Sequence, residues 1–175
     1  MTTIIGIDPG KSGAVAVHYG TEQDVYQIPT MPKPGSKSAV MIDELSLRDN
    51  LMCANKPHAF IETQQPMHGH GSKGQPIHGG TKTAFSTGDT FGLIRGLCVG
   101  LRIPYTLVHP RTWQAVMLAG MNAKGREDVG RAMVIVAGRL FPTVSLLPTP
   151  KCKKLSIDMA AALLIAEFGR RTLNR

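Results

Sequence analysis

The sequence predicts an α/β domain, a mixed β-sheet flanked by helices, and three features predict it. Short apolar, β-branched runs bounded by Gly and Pro alternate with longer segments of helical periodicity. The first run folds straight back as a hairpin, whereas the run at 59–62 follows an intervening helix, so antiparallel and parallel pairings are both expected. The chain of 175 residues suits one domain spanning 1–175, large enough to bury about 70% of its unfolded surface without disulfides or metals to hold it together.

Ile4-Ile5-Gly6-Ile7 is too short for a typical helix and reads as a buried strand that delivers Asp8 at its end. Pro9-Gly10 breaks it, and Gly13-Ala14-Val15-Ala16-Val17 resumes the β pattern, which places Asp8 beside a hairpin bend. Taken alone, Asp8 fits a turn cap as well as a catalytic acid. Asp24 to Pro29 is a third short strand, and Pro29, Pro32, Pro34 and Gly35 predict an irregular surface loop after it. From Ser38 to Cys53, Val40, Met41, Leu45, Leu47 and Leu51 recur at helical spacings, with Asp43, Glu44 and Asp49 read as solvated-face charges. Ala59-Phe60-Ile61-Glu62 repeats the logic of the first strand, an apolar run ending in one carboxylate. If the two strands are parallel neighbours, Asp8 and Glu62 lie side by side.

Gln64 to Gly80 reads as a long loop without regular structure beside that site. Its His68, His70 and His78 make a poor structural zinc site, because no cysteine is near to complete four ligands. Backbone, His and Lys73 contacts to a phosphodiester fit the loop better. Thr81 to Leu101 is helical, and Gly88, Gly92 and Gly96 fall on one bare stripe. Each helical Gly costs about 1 kcal/mol relative to Ala, so a close neighbour is expected there: another helix, a sheet or a second subunit. Pro104 to His109 is the fifth strand, and Pro110 suits the first turn of a helix in which Trp113, the single tryptophan, reads as a packing anchor. A polar turn with Lys124 and Arg126 leads into a helix closed by Phe141-Pro142. Lys151, Lys153 and Lys154 then precede a mostly buried last helix, Ser156 to Arg171, with Asp158 near its start and Gly169-Arg170-Arg171 ending it.

Twenty Lys and Arg against 12 Asp and Glu leave a formal charge of +8, which favours an anionic partner, nucleic acid being the commonest for such a domain. Cys53, Cys98 and Cys152 show no metal or redox spacing and read as buried thiols in a reducing compartment. No basic leader and no membrane-length apolar run is seen, so a soluble, cytoplasmic protein is expected, nucleoid-associated if it binds DNA; an organelle is possible, although no transit peptide is seen.

Together, Gly6-Ile7-Asp8-Pro9-Gly10, Ile61-Glu62, Val108-His109-Pro110-x-x-Trp113, Phe141-Pro142 and the helix Asp158-x-x-Ala161-Ala162-Leu163-Leu164-Ile165-Ala166 resemble the RuvC family of Holliday-junction resolvases. The resemblance runs nearly end to end and is closest to the phage-borne and chloroplast branches. It implies an RNase H-like fold with a five-stranded mixed sheet, and a homodimer whose two-fold axis matches a four-way DNA junction. It also implies carboxylates that hold Mg2+, with Mn2+ as a substitute. Asp8, Glu62 and Asp158 match catalytic, metal-binding positions, with Asp8 shared between two ions. Lys73, Lys82, Lys124, Lys151, Lys153 and Lys154 are candidate DNA contacts, and Phe85 and the 64–80 segment are candidates for distorting the junction. The opening Gly-Ile-Asp-Pro-Gly also resembles the phosphate loop of actin-like and sugar-kinase ATPases, but those need two such domains around a nucleotide and this chain supplies one.

The departure from the family pattern is Ala161, which stands where a fourth carboxylate is expected three residues after Asp158, on the same helix face. Glu167, nine residues on, falls about 180° around the helix and cannot replace it. The alanine reads as a replaced acid, through divergence or deliberate inactivation, and a junction-binding protein without catalysis is the alternative it opens. Ala161→Asp is expected to raise metal-dependent junction cleavage by orders of magnitude in a single-turnover assay; an unchanged rate would refute the reading of position 161.

Overall fold

A computed structural model describes residues 2–10, 12–52, 55–64, 68–70, 76–78 and 81–173. Strands β1 (Thr3–Asp8), β2 (Ala14–Tyr19) and β3 (Glu22–Gln27) form an antiparallel meander, joined by a tight turn in which Gly13 N–H donates to the Gly10 carbonyl at 3.1 Å. A short antiparallel pair, β4 (Thr30–Pro32) with β5 (Val40–Ile42), leads into helix α1 (Glu44–Met52). Strand β6 (Pro57–Glu62) returns parallel to β1. After the two-stranded β7 (His68–His70) and β8 (Pro76–His78), helix α2 (Thr81–Gly100) feeds β9 (Tyr105–Val108), which runs parallel to β6. Helices α3 (Pro110–Met117), α4 (Gly125–Leu140) and α5 (Ile157–Leu173) complete the chain. The sheet order β3-β2-β1-β6-β9 is the five-stranded mixed sheet that the sequence predicts.

Side-chain alternation divides the core between the two faces of the sheet. Ile5, Ile7, Val15, Val17, Ala59 and Ile61 point to one face, against Leu47 and Leu51 of α1 and Ile94 and Cys98 of α2. Ile4, Ala14, Ala16 and Phe60 point to the other, where α5 lies with α3 and α4. The residues on the α5 face are small for a reason visible at Gly6. A Cβ built there would meet the Ala162 carbonyl, the Ala166 amide and the Ala166 methyl, so α5 rests with its backbone almost on β1. The residues from Met159 to Glu167 are all buried, as expected of a helix that is apolar all round.

Several expectations are corrected. Val40 and Met41 belong to β5, not to a helix beginning at Ser38, and Pro32 lies in β4, where an edge position spares its missing N–H. Helix α1 starts later because Asp43 caps it: its carboxylate accepts from the Ser46 N–H at 3.1 Å and the Ser46 hydroxyl at 2.7 Å, a cap rather than a solvated-face charge. The 64–80 segment contains the β7–β8 pair, with His68 opposite His78, rather than being structureless; the His side chains there lie outside the described residues. Gly88, Gly92 and Gly96 meet no chain atom within 4 Å of an added Cβ. Among the described side chains of α2 the buried positions are Thr90, Ile94 and Cys98, two residues out of step with the glycines and so about 200° around the helix, which leaves the bare stripe facing outward. Helix α5 continues past Gly169, whose missing Cβ makes room for the Phe60 ring. Cys98 is buried, and burial pushes its thiol up to about 11, but Cys152 is only half-buried, with its sulfur 3.2 Å from the Thr149 hydroxyl; Cys53 lies outside the described residues. Among the described residues no helix is long and apolar enough to cross a membrane.

Gly6→Ala must displace either β1 or α5, because its nearest obstacle is backbone rather than a flexible side chain. Overpacking of this kind costs about 3 kcal/mol, and denaturant unfolding of the variant is expected to show a loss of that size; a loss below about 0.5 kcal/mol would mean that the helix is not seated on β1 as described.

Candidate active site

The candidate site forms where the two central strands end. β1 and β6 are parallel neighbours with Ile7 beside Ile61, so the next residue of each, Asp8 and Glu62, emerges at the same edge. Both belong to the even-numbered set that includes Ile4, Gly6 and Phe60 and therefore project toward the α5 face. Helix α5 begins at that edge, with Ser156 accepting from the Met159 N–H at 3.2 Å as a cap and Asp158 in the first turn. Asp8, Glu62 and Asp158 consequently line one cleft, with Ala161 in its wall. The side-by-side placement expected of the two strand-end acids is present, and the cleft also takes in the third.

Their electrostatics follow from crowding. Burial raises the Asp8 carboxyl well above its usual range, and the charges of Glu62 and Asp158 raise it further. Burial also raises Glu62, opposed by a hydrogen bond from Trp113, whose indole Nε1 donates to Oε2 at 2.7 Å. Asp158 is raised by burial, and the Ser12 hydroxyl and the Arg126 guanidinium act against that rise. Glu167 is no part of this cluster: it is held by Arg170 at 2.7 Å and Arg171 at 2.8 Å.

Arg126, Ser12, Gln64 and Gln114 also line the cleft, and the sequence reading did not assign any of them to it. Arg126 had a usable signal, since it lies two residues from Lys124 in the same polar turn. Lys124 itself is exposed at the start of α4, and Lys151, Lys153 and Lys154 are exposed in the segment before α5; none of the four lines the cleft. Lys73 lies outside the described residues. Lys82 is in the first turn of α2, and its side chain is likewise outside them. Trp113 is fully buried, as a packing anchor should be, but its polar edge reaches a site acid.

No protein-family model matches the chain, and no curated protein matches it in sequence. Solved structures similar to it include two of RuvC. One is Thermus thermophilus RuvC, 13% identical over 97% of this chain and 96% of that one, with a TM-score of 0.48. The other is T. thermophilus RuvC in complex with Holliday junction substrate, 15% identical over 98% and 96%, with a TM-score of 0.52. The second likeness, with the sheet order above, shows that this chain has the RNase H-like fold.

Crowded acids store unfavourable free energy when no cation offsets them. Asp8 has a folded-state pKa above its unfolded value, so it contributes a loss of stability that develops as pH rises above about 4. Asp8→Asn is expected to raise the melting temperature of the chelator-treated protein by a few degrees at pH 7, with the gain shrinking toward pH 4. A lower melting temperature at pH 7 would contradict the repulsion described.

Proposed function

We propose that this protein is a structure-selective endonuclease that binds four-way DNA junctions as a homodimer and cuts opposed strands by two-metal phosphodiester hydrolysis. The observation that carries this reading is the convergence of Asp8, Glu62 and Asp158 in one cleft that Arg126 also lines. The RNase H-like fold and the resemblance of the acid-bearing motifs to RuvC support it, as does the formal charge of +8.

The donor set is all carboxylate oxygen, which suits a hard cation such as Mg2+ or Mn2+. Among the described residues no three His, Cys, Asp or Glu side chains form a group that could hold a metal ion. Mg2+ is commonly held by one or two carboxylates, with water and substrate phosphate completing its shell, so the three acids need not close around one ion in the free protein. Asp8, whose carboxyl feels the charges of both Glu62 and Asp158, would serve both ions, and Glu62 and Asp158 would each complete one shell. When bound, such ions neutralise charge on the attacking and leaving oxygens of an in-line displacement. The chain's own contribution is positional. Arg126 offers a planar, permanently charged fork to a phosphate oxygen, and Gln64 and Gln114 offer amides at the cleft wall. Lys73, Lys82, Lys124, Lys151, Lys153 and Lys154 would neutralise phosphates outside the cleft, fixing register without reading sequence.

The outward stripe of Gly88, Gly92 and Gly96, flanked by exposed Phe85 and Val99, supports a face on which a second copy could sit closely. Phe85, 75% exposed, is also the aromatic available to wedge a junction. Ala161 favours a second reading, a junction binder that hardly cuts, because its methyl occupies the cleft wall where a further ligand would stand.

The reading is tested by gel-resolved cleavage of a mobile four-way junction, with linear duplex as control, by the chain and by Ala161→Asp in Mg2+ and in Mn2+. Paired nicks in opposed strands of the junction alone are expected, strongest for Ala161→Asp. Equal cutting of duplex would point to a general nuclease, and tight junction binding without any nicking by either protein would favour the non-catalytic reading.

A further inference from the structure

Trp113 is the single tryptophan of the chain, and it is fully buried. Its place follows from a short run of constraints. Glu62 stands opposite Val108 in the parallel β6–β9 ladder, and the Thr63 N–H donates to the Val108 carbonyl at 2.9 Å. One residue later His109 caps α3, its Nδ1 accepting from the Arg111 N–H at 3.2 Å, and Pro110 sets the first helical φ. The start of α3 is thereby fixed relative to Glu62, and the first turn of the helix carries Trp113 back over the end of β6. The indole N–H meets Oε2 at 2.7 Å, a length typical of a charge-assisted bond, and it is the one hydrogen bond to that carboxylate among the described residues.

We infer that Trp113 is a positioning residue for Glu62: the indole N–H occupies Oε2 and turns the carboxylate so that Oε1 is the oxygen presented to a divalent cation in the cleft. The inference rests on the metal-dependent reading above and deepens it. Glu62 would otherwise rotate about its side-chain torsions, and a second partner that fixes a ligand typically contributes 10- to 100-fold in metal affinity or activity. The pairing also explains why the sole tryptophan is here rather than elsewhere in the core. A buried indole needs an acceptor for its N–H, and a carboxylate at a strand end is one that the site already requires.

Because there is one indole, its Nε1–H resonance reports on Glu62 without any variant of Trp113. Titration of the 15N-labelled protein with Mg2+ is expected to shift that resonance progressively, with the shift lost in Glu62→Gln. Trp113→Phe keeps a buried ring and removes the N–H; calorimetric titration with Mn2+ is expected to show affinity weakened about 10-fold. Junction cleavage by the same variant should recover at high Mn2+, which a merely misfolded protein would not do. Should calorimetry detect Mn2+ binding to the unaltered chain while the indole resonance stays still and Trp113→Phe binds equally well, the positioning role is overturned and the nuclease reading survives. Should the unaltered chain bind no Mn2+, both fall together.

Discussion

The seating of α5 on β1 is the contact on which the rest of the molecule depends. Gly6 has no side chain, Ala162 and Ala166 have little, and the helix backbone comes down onto the strand. Asp8 lies two residues beyond Gly6 along β1, and Asp158 lies four residues, about one turn, before Ala162 along α5. One close approach therefore sets how near two of the three acids stand. Interiors are packed as tightly as organic crystals, so a methyl group inserted at Gly6 would be transmitted to the cleft rather than absorbed. Glu62 is fixed from the other side, by the parallel ladder to β1 and by the ring of Phe60, which fills the notch left by Gly169 and locks α5 along its length.

A scaffold this tight is what allows the cleft to remain electrostatically unfavourable. Three carboxylates that all resist ionisation would, in a looser protein, rotate away or draw in water. Here each has a reason not to move. Asp8 ends a strand paired on both sides, Glu62 is tethered by the Trp113 indole at 2.7 Å, and Asp158 accepts from Ser12 in the first turn of a capped helix. Stability elsewhere, chiefly the fully buried centre of α5, offsets the repulsion, a common arrangement for sites whose charge is to be neutralised by a ligand.

Much of this was legible before any coordinates. The two short apolar runs ending in Asp8 and Glu62, with the helix between them, carry the two neighbouring acids once the strands are parallel neighbours, whereas the five-stranded sheet is legible only through the resemblance to RuvC. The close approach is also written in the sequence, in Gly6, Ala14, Ala16, Ala162 and Ala166, whereas the stripe Gly88, Gly92 and Gly96 has the same look with no neighbour from this chain. Those glycines mark no close contact within the chain, because helical phase, not glycine content, decides which side of α2 is buried, and Thr90, Ile94 and Cys98 set that phase. Side-chain hydrogen bonds across long sequence separations were not legible. Nothing local to Trp113 points to Glu62, 51 residues away, and nothing local to Arg126 distinguishes it from Lys124 until the first turn of α4 is placed against the start of α5. The cap at Asp43 was legible in principle, as an Asp three residues ahead of Ser46, but the apolar residues at 40 and 41 extended the helix pattern across it.

Position 161 shows how little of the scaffold depends on the site's chemistry. Ala161 is 4% exposed and belongs to the core on the α5 face, yet it also lines the cleft. A carboxylate on that face would stand one turn from Asp158 and add a fourth negative charge to a cluster already short of cations. With no cation beside it such a charge would destabilise the protein, and a bound cation would offset it. Alanine at 161 therefore spares the free protein a fourth negative charge in the cleft. The close contacts that seat α5 on the sheet run through Gly6, Phe60, Ala162 and Ala166, the last two standing one and five residues beyond that position.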